Sequence, residues 1–212
     1  MKKLDFKRTL NLHEYNMRFQ RIFSDWKFML PLSVSVIGIL TGTALIRGES
    51  SLYNKAEYLI EEYLLANNYT TVPISIIIHL LIPTLLAVII FFMGLSVYGG
   101  LISNVIPFIF STFIGIITYY MYSEYTLKGL AYCVIMLLPY TTLSLYSLLL
   151  ITAESICMSQ YLLNLLSRKR RKTPDYSINK YYINSIKSYV IIIIASVVKT
   201  GIEYLFVGLF SF

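Results

Sequence analysis

Lys199 and Glu203 are the residues whose chemistry fits their surroundings least. They sit within 189–212, a stretch that is otherwise almost wholly apolar. Charge in such a setting is costly and is usually paired or functional. Their spacing of four places them on one helical face, where opposite charges can pair. Two readings stay open: an ion pair that makes burial tolerable and fixes helix packing, or a site for coupling or partner recognition. His79 lies six residues into a second apolar stretch, and Glu203 nine residues from the end of its own. The two can therefore meet at similar depth. A lone intramembrane histidine is an interhelical hydrogen-bonder more often than a ligand or proton relay. Asn104 follows a glycine-bearing turn, and Glu154 ends a further apolar stretch, where it can snorkel or lie under a basic loop.

Catalytic patterns are missing from the sequence. There is no nucleophile elbow, no phosphate-binding glycine loop and no HExxH pair. Serines and threonines such as Ser33, Ser35, Thr141 and Ser144 read as packing residues. The expectation is a non-enzyme without a cofactor. Cys133 and Cys157 share one stretch, about 36 Å apart if it is helical. That is far beyond disulfide reach, and no Cys/His cluster has metal-ligand spacing.

The elements that must hold these residues follow from composition. Of the 212 residues, 57% are hydrophobic and only 14% charged, whereas a soluble domain is about a quarter charged. The apolar residues form runs long enough to cross a bilayer, which takes about 20 residues in a helix. The pattern predicts an all-α polytopic membrane bundle of about five spans: 28–46, 73–97, 101–122, 129–151 and 189–212. In the first span Gly38 and Gly42 form a small-xxx-small face for close helix approach. Residues 73–123 carry no acid or base except His79, and they are too long for one span. Gly94 and the Gly99-Gly100 pair mark a tight turn that divides them. Pro83 and Pro107 are expected to bend the flanking helices, and Pro139 lies mid-way along the fourth. The helical pattern there extends through Glu154 to Leu166.

Two further amphipathic helices are expected. In the polar segment 1–27, Leu12, Tyr15, Phe19, Ile22, Phe23 and Trp26 recur at helical spacing. In the segment 47–72, Leu52, Ala56, Leu59, Ile60, Tyr63 and Leu64 do the same. The second would cap the bundle or contact a partner on its outer surface. Residues 1–27 hold seven Lys/Arg and residues 167–188 another seven, among them Arg168, Lys169, Arg170, Arg171 and Lys172. Residues 47–72 hold two, and 122–128 one. The positive-inside rule then puts the N-terminus and the basic loop in the cytoplasm, and the C-terminus outside. Charge placed beside apolar runs orients helices and attracts anionic lipid. It forms no basic groove with stacking aromatics, so nucleic acid is not an expected partner.

Phe91-Phe92-Met93-Gly94-Leu95-Ser96-Val97-Tyr98-Gly99-Gly100 is followed by Phe113-Ile114-Gly115, by Ser123-Glu124-Tyr125-Thr126-Leu127-Lys128-Gly129-Leu130 and by Leu137-Leu138-Pro139. With Gly38, Gly42 and Ile202-Glu203, this series resembles the stage II sporulation protein M family, over roughly residues 28 to 212. The resemblance implies a multi-pass protein of the bacterial cell membrane in a spore-forming Firmicute. It implies a scaffold for peptidoglycan hydrolases during engulfment, with those hydrolase subunits as partners. Wider relatives accompany ATP-binding-cassette transporters or circular-bacteriocin genes. The alternative is therefore a permease-like exporter subunit partnered by an ATPase, with a cavity lined by His79, Lys199 and Glu203. Self-association is compatible with either.

Overall fold

The computed structural model describes residues 26–48, 50–60, 72–166 and 177–206. The expected amphipathic helix near the N-terminus, apart from Trp26, and the Arg168–Lys172 cluster lie outside the described residues. Along the chain come α1 (Trp26–Gly48), α2 (Ser50–Ile60), α3 (Val72–Gly94), α4 (Gly99–Ile102) and α5 (Val105–Tyr132). A π-helical turn (Cys133–Leu137), α6 (Leu138–Leu166) and α7 (Ile178–Phe206) follow. Among the described residues there is no strand.

Four helical stretches are long and apolar enough to cross a membrane: Trp26–Gly48, Ser75–Gly94, Gly99–Leu166 and Ile178–Phe206. They point to a membrane protein. Their outward faces agree, since Leu40, Ile77, Ile82, Phe92 and Leu101 are all more than half exposed. In water such a surface would drive aggregation; in lipid it costs nothing.

The 68-residue stretch would be about 100 Å long if straight, three times the hydrocarbon thickness. It is not straight. Thr126 leaves the helix at φ 47° and ψ −119°. Just beyond it, a Cβ on Gly129 would collide with the backbone carbonyl of Met121. Residues eight apart touch only if the chain doubles back, so it reverses at Thr126. The helix α2 folds over this reversal. Ala56 is buried, the Tyr53 and Tyr120 ring centroids are 5.5 Å apart, and Tyr53 Oη donates to Glu124 Oε1. Burial, then Glu124, raises the Tyr53 phenol above its ordinary pKa, so it stays a donor.

The closest helix crossing joins α1 to α5. The contacts of Gly38 with Phe108 and of Gly42 with Thr112 show that the two helices run parallel. A Cβ on Gly38 would lie 2.7 Å from the Phe108 carbonyl oxygen. One on Gly42 would strike the Thr112 carbonyl, and one on Gly115 the Ile39 carbonyl. The small-residue face expected to receive another helix is therefore filled from within the chain.

The last helix begins at Ile178, inside the polar segment expected as a loop to residue 188. Its buried stripe explains the difference. Tyr181, Ser185, Ser188, Ile192, Ala195 and Lys199 recur at helical spacing. Three of these six are polar at the start, so average hydropathy conceals the face they form. Pro139 lies just past the π-helical turn, whose wider ring relieves the clash between a proline and the carbonyl four residues back.

Two outcomes check this architecture. Gly42→Ala and Gly115→Ala should each lower stability in detergent by about 1–3 kcal/mol through overpacking. Gly201→Ala, where an added Cβ meets nothing within 4 Å, should be neutral or stabilising in the same thermal assay. Thr126→Gly should raise the melting temperature, because relief of about 1–3 kcal/mol of backbone strain exceeds the entropy cost of glycine, about 0.5–1 kcal/mol. An unchanged or lower value would mean that Thr126 is not strained.

Candidate functional site: a charge cluster between three helices

Pro83 creates the need from which the site is built. Having no N–H, it cannot bond the carbonyl four residues earlier, that of His79. No water is at hand in hydrocarbon to replace the missing donor. Tyr140, one residue beyond Pro139 on α6, supplies it: Tyr140 Oη donates to the His79 carbonyl at 2.9 Å. This bond ties α3 to α6 and places the Tyr140 ring beside the His79 ring, centroids 6.1 Å apart.

The helix α7 completes the cluster. His79 Nε2 lies 2.8 Å from Glu203 Oε2, and Lys199 Nζ lies 3.6 Å from Glu203 Oε1. Lys199 Nζ also stands 4.8 Å from the centroid of the Tyr140 ring, a cation–π contact. His79 and Lys199 are buried at 7% and 6% exposure. The carboxylate thus has a partner at each oxygen, and the ammonium has a carboxylate and an aromatic face. Buried charge persists only when satisfied in this way.

Of the five intramembrane polar candidates, three meet here. Asn104 does not: its Nδ2 donates to the Gly100 carbonyl at 2.9 Å and to the Leu101 carbonyl at 3.3 Å, which steadies α4. Its Oδ1 is buried without a partner among the described residues. Glu154 lies near the opposite end of the bundle, accepting from Asn184 Nδ2 at 2.8 Å. The expected glycine turn is there, and each glycine answers a close approach. Gly94 packs under the Tyr181 hydroxyl, Gly99 against the Met93 carbonyl and Gly100 against the Ile156 backbone. Tyr181 Oη donates to the Phe91 carbonyl at 2.8 Å, and Ser159 Oγ to the Ser96 carbonyl at 2.9 Å. Pro139 contributes through its neighbour Tyr140.

Tyr140 is the residue that sequence reasoning missed. Nineteen tyrosines hide it. The signal was indirect: Pro83 orphans the carbonyl of the one intramembrane histidine, so a donor must come from another helix.

No family model, no curated protein and no solved structure matches the chain.

A mutant cycle tests the geometry. Tyr140→Phe should cost about 1–3 kcal/mol, since it leaves the His79 carbonyl unsatisfied. Pro83→Ala restores an N–H four residues on, so in that background Tyr140→Phe should cost clearly less. Equal cost in both backgrounds, read by denaturation in detergent, would show that Tyr140 does not serve that carbonyl.

Proposed function

We propose that the chain is a non-enzymatic scaffold of the bacterial cell membrane, comparable to the stage II sporulation protein M family. The observation that carries this reading is that the charged groups face one another. His79 and Lys199, both buried, each reach a different oxygen of Glu203, with Tyr140 packed over Lys199 and bonded to the His79 carbonyl. A cluster paired in this way pins α3, α6 and α7 together. A transport site would instead leave polar groups facing a path for the substrate.

In this reading the reversal at Thr126 divides the longest apolar stretch into two spans, which makes five in all. The two segments with seven Lys/Arg each then fall on the cytoplasmic side, and the C-terminus is outside. The glycine face of α1 is occupied by α5, so membrane-anchored hydrolase subunits would dock on the lipid-facing surfaces instead. Extracytoplasmic partners would meet the exposed side of α2, around Asn54, Lys55 and Tyr58.

The test separates pinning from chemistry. Glu203→Ala strands Lys199 and should cost about 3–5 kcal/mol, seen as lost folded yield. Combining Lys199→Met with Glu203→Gln should recover much of that yield. Under the scaffold reading this double mutant also restores engulfment to a host deleted for the gene, scored by membrane staining. A double mutant that folds but stays inactive, with an ATPase copurifying, would replace the scaffold by the exporter subunit. A reporter fused after Phe212 should be active outside the cytoplasm; activity only inside would overturn the orientation.

A further inference from the structure

At the end of the bundle opposite the charge cluster, α1, α6 and α7 leave a cleft of about 340 Å³ between them. That volume lies within the range of ligand clefts, about 300–1,000 Å³. Among the described residues its lining offers three kinds of group. Lys27 from α1 and Lys187 from α7 supply two positive charges. Glu154 from α6, held by Asn184 at 2.8 Å, supplies one negative charge. Phe28, Leu150 and Ala153 supply an apolar wall. Among the described residues Lys27 Nζ donates to Cys157 Sγ at 3.4 Å, a weak acceptor for a full charge.

The depth of the cleft limits what can fill it. Lys27 is the second residue of α1, beside the exposed Trp26, and the exposed Tyr182 lies five residues before Lys187 on α7. Tryptophan and tyrosine gather where headgroups meet acyl chains. Basic pockets between helices at that level take lipid headgroups. A purely anionic headgroup would use the two lysines but would meet Glu154 with like charge. A choline headgroup would bring a cation that cannot donate a hydrogen bond to the carboxylate.

From this juxtaposition we infer that the cleft between α1, α6 and α7 binds a phospholipid with a primary amine beyond its phosphate, an ethanolamine headgroup. The phosphate lies between Lys27 and Lys187, the ammonium meets Glu154, and an acyl chain follows Phe28 and Leu150. The site requires only that the helices cross a bilayer. It depends neither on which side is cytoplasmic nor on the scaffold role.

The test uses the full-length protein in mild detergent, with retained lipid counted by native mass spectrometry. Phosphatidylethanolamine, phosphatidylglycerol and phosphatidylcholine are supplied in equal amounts. Ethanolamine lipid should be retained at least several-fold over the other two. Lys27→Gln with Lys187→Gln should weaken its binding about tenfold, as expected for lost charge-assisted contacts. Glu154→Gln, which keeps an acceptor for Asn184, should abolish the preference over phosphatidylglycerol while the lipid still binds. Both variants are compared at equal folded fraction by size exclusion, and Lys187→Gln alone, at an exposed position, should give a partial loss. No preference for the ethanolamine lipid, or a preference that survives Glu154→Gln, would overturn the assignment. Soluble phosphoethanolamine displacing the lipid at equal concentration would also overturn it, by showing that the apolar wall plays no part.

Discussion

A backbone carbonyl that loses its helical partner within hydrocarbon has no water to turn to. The fold is largely a set of answers to that constraint. Pro83 orphans the carbonyl of His79, and Tyr140 answers from α6. The end of α3 frees the carbonyl of Phe91, and Tyr181 answers from α7. At the glycine turn the Ser96 carbonyl takes the Gly99 N–H and, from α6, the Ser159 hydroxyl as a second donor. Each answer is a hydroxyl on a different helix, so each local break becomes a tertiary tie. Proline and glycine thereby determine which faces of α3, α6 and α7 meet.

Once those faces meet, the charges have little freedom. Tyr140 can reach the His79 carbonyl only if its ring lies beside His79, and the same ring carries Lys199. Glu203, one turn further along α7, then falls between lysine and histidine. Electrostatics does not assemble the three helices unaided, because a buried ion pair roughly breaks even against its own desolvation. What the pair adds is selectivity. A shift of α7 by one residue would strand both charges.

Much of this is legible in the residues themselves. The helical class and the apolar stretches follow from composition and run length. The meeting of Lys199 with Glu203 follows from spacing, and that of His79 with Glu203 from depth. The glycine turn follows from Gly94, Gly99 and Gly100. Other features are hidden for physical reasons. The start of α7 is masked because Ser185 and Ser188 bury hydroxyl-bearing residues that hydropathy counts as polar. The use of Gly38 and Gly42 inside the chain depends on which helix approaches, and a glycine pair does not encode its partner's identity. Tyr140 needed two sites to be read together, since the demand lies at Pro83 and the supply some sixty residues later.

The parallel crossing of α1 on α5 bears on how the chain is made. Its two halves are separated by α2, α3 and α4, so α1 leaves the ribosome long before the surface that fits it. Until residues near Gly115 have been synthesised and inserted, the glycine face of α1 borders lipid, where small residues pack poorly. The nascent protein therefore passes through a stage with its first helix inserted but undocked. A chain cut short before α5 would therefore leave the glycine face of α1 without the surface that fills it in the complete fold.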